Sequence, residues 1–193
     1  MCTVEDTTPL AEHRGVVRGI LRDVRALPPA DDRSTGDELR TRRAVLRRLR
    51  IAFVSHATAA ERHVWRAARA RFPEESDAID DALARKLGAE RSMVKLQWFG
   101  DRDTLRNPCV ADLVECIDHY LANEERVASR LRDAMTPTER DALARRIARD
   151  LRWAPTRPHP DLPSAPKLSV VLAPVVAMVD RARDVLDSVE TGP

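Results

Sequence analysis

Between Asp37 and Arg71 the chain runs without a proline or a glycine. Along that stretch Leu39, Leu46, Leu49, Phe53, His56, Ala60, Val64 and Ala67 recur at steps of three, four and seven residues. That spacing places them on one side of an α-helix and is incompatible with a strand, whose faces alternate every second residue. A helix this long with one apolar stripe has to bury the stripe against other helices.

The rest of the chain supplies them. Leu10, His13, Val17, Ile20, Val24 and Leu27 define a helix that starts near Pro9, with Thr8 as its N-cap, and ends at Pro28-Pro29. A third helix is predicted from Glu74 or Glu75 to Phe99, with Ile79 or Asp80, Leu83, Leu87, Glu90 or Arg91, Val94 and Trp98 on its seam. Gly100-Asp101-Arg102-Asp103 reads as a turn. A fourth helix is predicted from about Pro108 to Met135, with Leu113, Ile117, Tyr120, Glu124, Val127 and Leu131 on its face and His119 toward the edge. Thr136, Pro137 and Glu139 are the cap, first-turn and capping-box signals of a shorter fifth helix reaching Leu151. No segment alternates with period two. The expected fold is all-α: an antiparallel four-helix bundle with a short fifth helix.

From Ala154 the chain changes character. Ala154-Pro-Thr-Arg-Pro-His-Pro-Asp-Leu-Pro-Ser-Ala-Pro166 is too rich in proline for helix and is expected to run extended. A last amphipathic helix is predicted from about Pro174 to Val189, carrying Val175, Val179, Ala182 and Leu186 on one side. The domain reading is therefore 1–153 for the bundle with its added helix. Residues 154–193 form a proline-rich segment and a C-terminal helix that packs on the bundle or on a partner.

Composition narrows the function classes. Charged residues reach 33%, yet the formal net charge is +2, so no one-signed surface marks a nucleic-acid partner. Aromatics are 4% of residues, which makes the expected core aliphatic. Three cysteines without a close-set framework suit reduced thiols in a cytoplasm. The N-terminus has no signal-peptide pattern, and the longest apolar run, Val170 to Val179, is interrupted by Pro174 and too short to span a bilayer. With six glycines and no glycine-rich phosphate loop, nuclease, kinase and dinucleotide-binding readings have no motif.

The chemistry-bearing residues lie on the seams. His56 stands in an apolar stripe, where histidine is uncommon, and His13, Arg91 or Glu90, and His119 with Glu124 come from three other helices. A lone histidine on an apolar face is ordinarily a core residue with its hydrogen bonds met. Three on three helices ask for a common cause. Cys116, three residues before His119, reads either as a substitute ligand or as a small buried hydrophobe. Trp65, Trp98 and Trp153 read as core or tail-packing anchors, His63 as a partly exposed residue near a helix end, and His159 as a surface residue of the tail.

Ala11-Glu12-His13-Arg14, His56-Ala-Thr-Ala-Ala60-Glu61, Glu90-Arg91-Ser-Met-Val-Lys95 and His119-Tyr-Leu-Ala-Asn123-Glu124-Glu125, in this order on four helices, resemble the hemerythrin-like (HHE cation-binding) family. The proline tail and final helix resemble those of actinobacterial members. The resemblance implies a four-helix bundle around a non-haem di-iron centre, bridged by carboxylates and completed by histidines. On such a centre one open position takes up O2 or a related small molecule.

Residue by residue, the pattern is broken. His13, His56, His119 and Glu124 match. The bridging carboxylate expected one turn after His56 is Ala60, and Glu61 beside it is rotated about 100° around the helix. Arg91, or Glu90 after a one-residue shift, stands where the third-helix histidine belongs. The expectation is a degenerate site. Either Arg91 replaces the metal as counter-charge to Glu124, or His13, His56, His119 and Glu124 hold a single Fe or Zn ion. A di-iron centre is not expected. The functional expectation is a non-catalytic binding or regulatory module. Its alternatives are a metal protein that binds or senses O2, nitric oxide or peroxide, and an interaction protein using the proline tail and last helix. No nucleic-acid or membrane partner is expected; a protein partner or a homo-oligomer is compatible with the sequence.

Overall fold

A computed structural model describes residues 8–153, except 102 and 104 and the side chain of Trp153. The proline-rich segment, the predicted C-terminal helix, Cys2 and His159 lie outside the described residues. The described residues are mostly helical, with no strand among them. The elements are α1 (Pro9–Ala26), α2 (Gly36–Ala60), a π-helical turn (Glu61–Trp65), α3 (Arg66–Arg71), a 3-10 turn (Pro73–Glu75), α4 (Ser76–Trp98), α5 (Arg106–Asp133) and α6 (Pro137–Trp153). None is long and apolar enough to cross a membrane.

Local chemistry sets the boundaries. Thr8 Oγ1 accepts from Ala11 N at 3.3 Å, and Pro9 opens α1. Thr136 and Glu139 form the expected capping box: the backbone N–H of Thr136 donates to Glu139 Oε2 at 2.7 Å, and that of Glu139 donates to Thr136 Oγ1 at 3.3 Å. The same device, unread in the sequence, starts α2, where Thr35 and Glu38 cap each other. Pro108 sits in the first turn of α5, where a missing N–H leaves no helical bond unmade.

Cross-links fix the directions. Asp23 and Arg48 (3.8 Å), with His13 stacked on His56, make α1 and α2 antiparallel. Arg14 with Glu124 and Arg25 with Asp118 do the same for α1 and α5, and Glu75 with Arg126 and Asp81 with His119 for α4 and α5. The α4–α5 and α1–α2 pairs make the most extensive interfaces. At one end, Arg42 donates to Pro28 O and Asn107 Oδ1, tying the α1–α2 linker to the start of α5.

The core between these helices is largely aliphatic, as the composition requires: Val17, Leu21, Leu49, Ile79, Leu113, Ile117 and Leu131 are each no more than 2% exposed. Burying each such side chain is worth about 1.5–3 kcal/mol. Phe53, Trp65 and Tyr120 form its aromatic centre, in edge-on contacts of Tyr120 with the other two. α6 covers α1 and α2 with Ile147 and is pinned to the π turn by Asp150, which meets His63 at 3.0 Å and Arg62 at 3.4 Å. His63 is thus a half-buried clamp within the helical run rather than a residue near its end.

Two sequence expectations change here. Trp98 is 83% exposed, so it anchors no core; two residues after buried Leu96, it lies about 200° away around α4, on the face turned from the core. The helix expected from 37 to 71 is interrupted in hydrogen-bonding pattern by the π turn. A π turn accommodates one extra residue per turn. The buried face accordingly moves on by one: Val64, Trp65 and Ala68 are buried, and Ala67 is only partly covered.

Candidate functional site: a buried polar centre

Midway along the helices the aliphatic core gives way to charge. Glu124 on α5 and His56 on α2 are both fully buried. Glu124 Oε2 accepts from Nε of Arg14 at 2.8 Å, and His56 Nε2 lies 3.4 Å from the same oxygen, in ion-pair range but outside hydrogen-bond geometry. Arg14 also reaches Glu125 Oε1 at 2.8 Å, and Arg18 holds the other oxygen of Glu125 at 2.7 Å. The Arg14 side chain is 10% exposed, so the Arg14–Glu124 contact is shielded from solvent. A buried carboxylate requires such a partner.

Tyr120, one turn before Glu124, packs its ring edge-on to His56 and accepts at its hydroxyl from the indole N–H of Trp65 at 3.0 Å. Burial, followed by the negative charge of Glu124, pushes its phenol well above the usual tyrosine range despite the bond from Trp65. The hydroxyl is thus a neutral dipole. His13 stacks nearly parallel on His56, with ring centroids 5.8 Å apart. Desolvation, followed by the charge of His56, lowers the His13 pKa to about 4. In this centre four buried polar atoms have no protein hydrogen-bond partner: Nδ1 of His13, Nδ1 and Nε2 of His56, and Oε1 of Glu124.

A second polar group lies beside the π turn. Lys86 Nζ is 2.8 Å from Glu61 Oε2 and 3.5 Å from Glu90 Oε1. Glu61 is therefore not a solvent-facing neighbour of Ala60. The opened turn sends it toward α4. Burial depresses the Lys86 pKa, but Glu90 and Glu61 outweigh it and leave the ammonium above its ordinary range.

The structure brings together three of the four matched positions, His13, His56 and Glu124. It does not bring His119, which is 45% exposed on the side chain and pairs with Asp81 Oδ2 at 2.7 Å. Helical geometry gives the reason: five residues before Glu124 lies about 140° around the helix. Arg91 is exposed and cannot be the counter-charge of Glu124, while Glu90 is buried. Of these two candidates, Glu90 is the one that the fold turns inward. Ala60 is fully buried, a methyl group on the inner face. Cys116 is half-buried against the core, and Cys109 is buried with its thiol toward Ser92 O at 3.4 Å.

Sequence reasoning missed Arg14. Its signal was present: residue 14 is four after Leu10 and three before Val17, on the face α1 buries. Among the described residues no group of three or more His, Cys, Asp or Glu is arranged to hold a metal ion. Two metal ions in a carboxylate helix bundle take about six side-chain ligands. Here one carboxylate oxygen is bonded to a guanidinium, and Ala60 presents only a methyl to the interior. No family model, no curated protein and no solved structure matches this chain.

Proposed function

We propose that the chain is an antiparallel four-helix bundle of hemerythrin-like type whose internal site is neutralised by its own cations. It acts as a non-catalytic binding or regulatory module rather than as a carrier of a di-iron centre. One observation carries the reading: the buried Arg14–Glu124 ion pair at 2.8 Å. An arginine guanidinium stays protonated and is no metal ligand, so it meets the charge of Glu124 in place of a metal. Ala60 and the outward His119 support it, and the three antiparallel helix pairings support the bundle. The test is metal analysis and an absorption spectrum of protein expressed with iron. Substoichiometric iron without a charge-transfer band is expected; two irons per chain would refute the reading.

A second reading is favoured by the four unpartnered atoms of His13, His56 and Glu124. Two imidazoles and one carboxylate oxygen, drawn closer together than they stand here, would make a set for a single Fe or Zn, leaving positions open for O2, nitric oxide or peroxide. It predicts one metal per chain and its loss in His56→Ala. Metal content unchanged by that substitution contradicts it.

A further inference from the structure

Where the α1–α2 linker meets the start of α5, the chain buries a cation that no carboxylate meets. Arg42 is 7% exposed. Its guanidinium donates to Pro28 O at 2.6 Å and to Asn107 Oδ1 at 2.9 Å, both neutral acceptors, and its buried Nε–H has no hydrogen-bond partner. Asp101, in the turn before α5, serves Arg43 at 3.4 Å and Arg106 at 3.7 Å instead. Burial, and then the positive charge of Arg106, push the Arg42 guanidinium below the ordinary arginine range. A buried charge ordinarily comes with a partner of opposite sign.

Arg42 and Asn107 line an open groove of about 710 Å³, within the size range of small-molecule sites. Its walls are mostly apolar, with Val24 and Leu27 at the end of α1 and Val110 and Val114 on α5. Asn107, Val110 and Val114 follow at steps of three and four residues, so they share one face of α5 in a strip about 10 Å long. Asn107 is fixed in place: its Oδ1 also accepts from Ala30 N at 3.0 Å, and its Nδ2 donates to Ala30 O at 2.8 Å. Farther along, Glu115 and Asp118 line the groove, Asp118 paired with Arg25. None of the residues of the His56–Glu124 centre lines it.

We propose that this groove binds a small organic monocarboxylate with an apolar body, its carboxylate on the Arg42 guanidinium and its hydrocarbon or aryl part along Val110, Val114 and Leu27. A guanidinium has five N–H donors, and two of those of Arg42 are taken, so each terminal nitrogen keeps one for a carboxylate oxygen. The planar fork matches a carboxylate. One uncompensated cation calls for one negative charge, and Glu115 and Asp118 disfavour a dianion. The inference goes beyond the reading of the interior and is independent of whether metal binds there.

The full chain is titrated by calorimetry with octanoate, and with octan-1-ol, acetate and inorganic phosphate for comparison. One octanoate per chain is expected, bound about tenfold or more tightly than each of the other three. Octanol binding as well as octanoate would leave the cation without a role. Acetate or phosphate binding as well would leave the apolar strip without one. Either result overturns the proposal, as does a parent chain that binds no octanoate. Arg42→Gln is expected to weaken octanoate binding by about tenfold or more while leaving octanol unchanged; a folded Arg42→Gln that keeps the parent affinity overturns the proposal. Ala111 also lines the groove and is exposed, so Ala111→Glu places a negative charge there without touching the core. That variant is expected to lose octanoate binding. If Arg42→Gln does not fold, Ala111→Glu decides alone: loss of binding supports the proposal, and binding equal to the parent overturns it.

Discussion

Replacing Arg14 by methionine removes the partner of a carboxylate that has no access to solvent. At 2.8 Å and an effective dielectric constant of about 20, the Coulomb attraction alone is about 6 kcal/mol. Desolvation of both ions offsets part of that, and breaking such buried pairs on one side typically costs about 3–5 kcal/mol. Glu125 loses one of its two cations as well, but it is half-exposed and adds little. Arg14→Met should therefore lower stability by about 3–5 kcal/mol and the midpoint by roughly 6–20 °C for a chain of this size. The assay is urea unfolding followed by helical circular dichroism, with calorimetry for the midpoint. Arg14→Met combined with Glu124→Leu takes away both charges and fills the space with carbon; replacements of this kind are often neutral or better. The double variant should recover most of the loss. An Arg14→Met variant within about 1 kcal/mol of the parent, or a double variant no better than the single one, would refute the claim that this pair neutralises the interior.

The remaining expectations concern the surrounding residues. His13 has a pKa of about 4 in the fold against an ordinary value of 6.5, so the unfolded chain takes up its proton first. Stability is intact above about pH 6.5 and falls between there and pH 4, by about 1–2 kcal/mol once solvent screening of this partly exposed ring is allowed for. His13→Gln should flatten that segment of a stability–pH curve, and an unchanged curve counts against the assignment. Tyr120→Phe strands the buried Trp65 N–H and should cost about 1–3 kcal/mol, read by denaturant unfolding. A methyl on Gly88 would meet Cys116 Sγ at 3.0 Å. Gly88→Ala should thus be close to neutral in the parent but stabilising by about 0.5–1 kcal/mol when Cys116 is alanine, a difference a double-mutant cycle measures directly.

The helices were legible because their stripes are long and their ends carry strong local chemistry. Thr8-Pro9 and Thr136-Pro137-x-Glu139 fix their own caps through bonds spanning three residues. The interior was half legible. His56 and Glu124 stood out as polar residues on apolar seams, and both are fully buried. Arg14 was hidden because an arginine beside a histidine in a chain with so many arginines looks like solvated surface; only the packing of α1 against α5 turns it inward. His119, read toward the edge of its stripe, lies far enough around α5 from Glu124 to leave the centre and pair with Asp81 instead. The π turn has no local signature. It moves the inner face from Ala67 to Ala68 and carries Glu61 to Lys86, and that depends on how α2 meets α4. Trp98 shows the converse limit: the face α4 buries runs through Met93 and Leu96, and a large apolar side chain off that face stays exposed.

The central claim is that protein cations, not metal ions, neutralise the buried carboxylates. A crystal structure of the chain grown with iron, with an anomalous difference map at the iron edge, tests it most directly. The account predicts no peak between His56 and Glu124, the Arg14 guanidinium on Glu124, and the Lys86 ammonium between Glu61 and Glu90. Two strong peaks there, with Arg14 and Lys86 turned away, would contradict it.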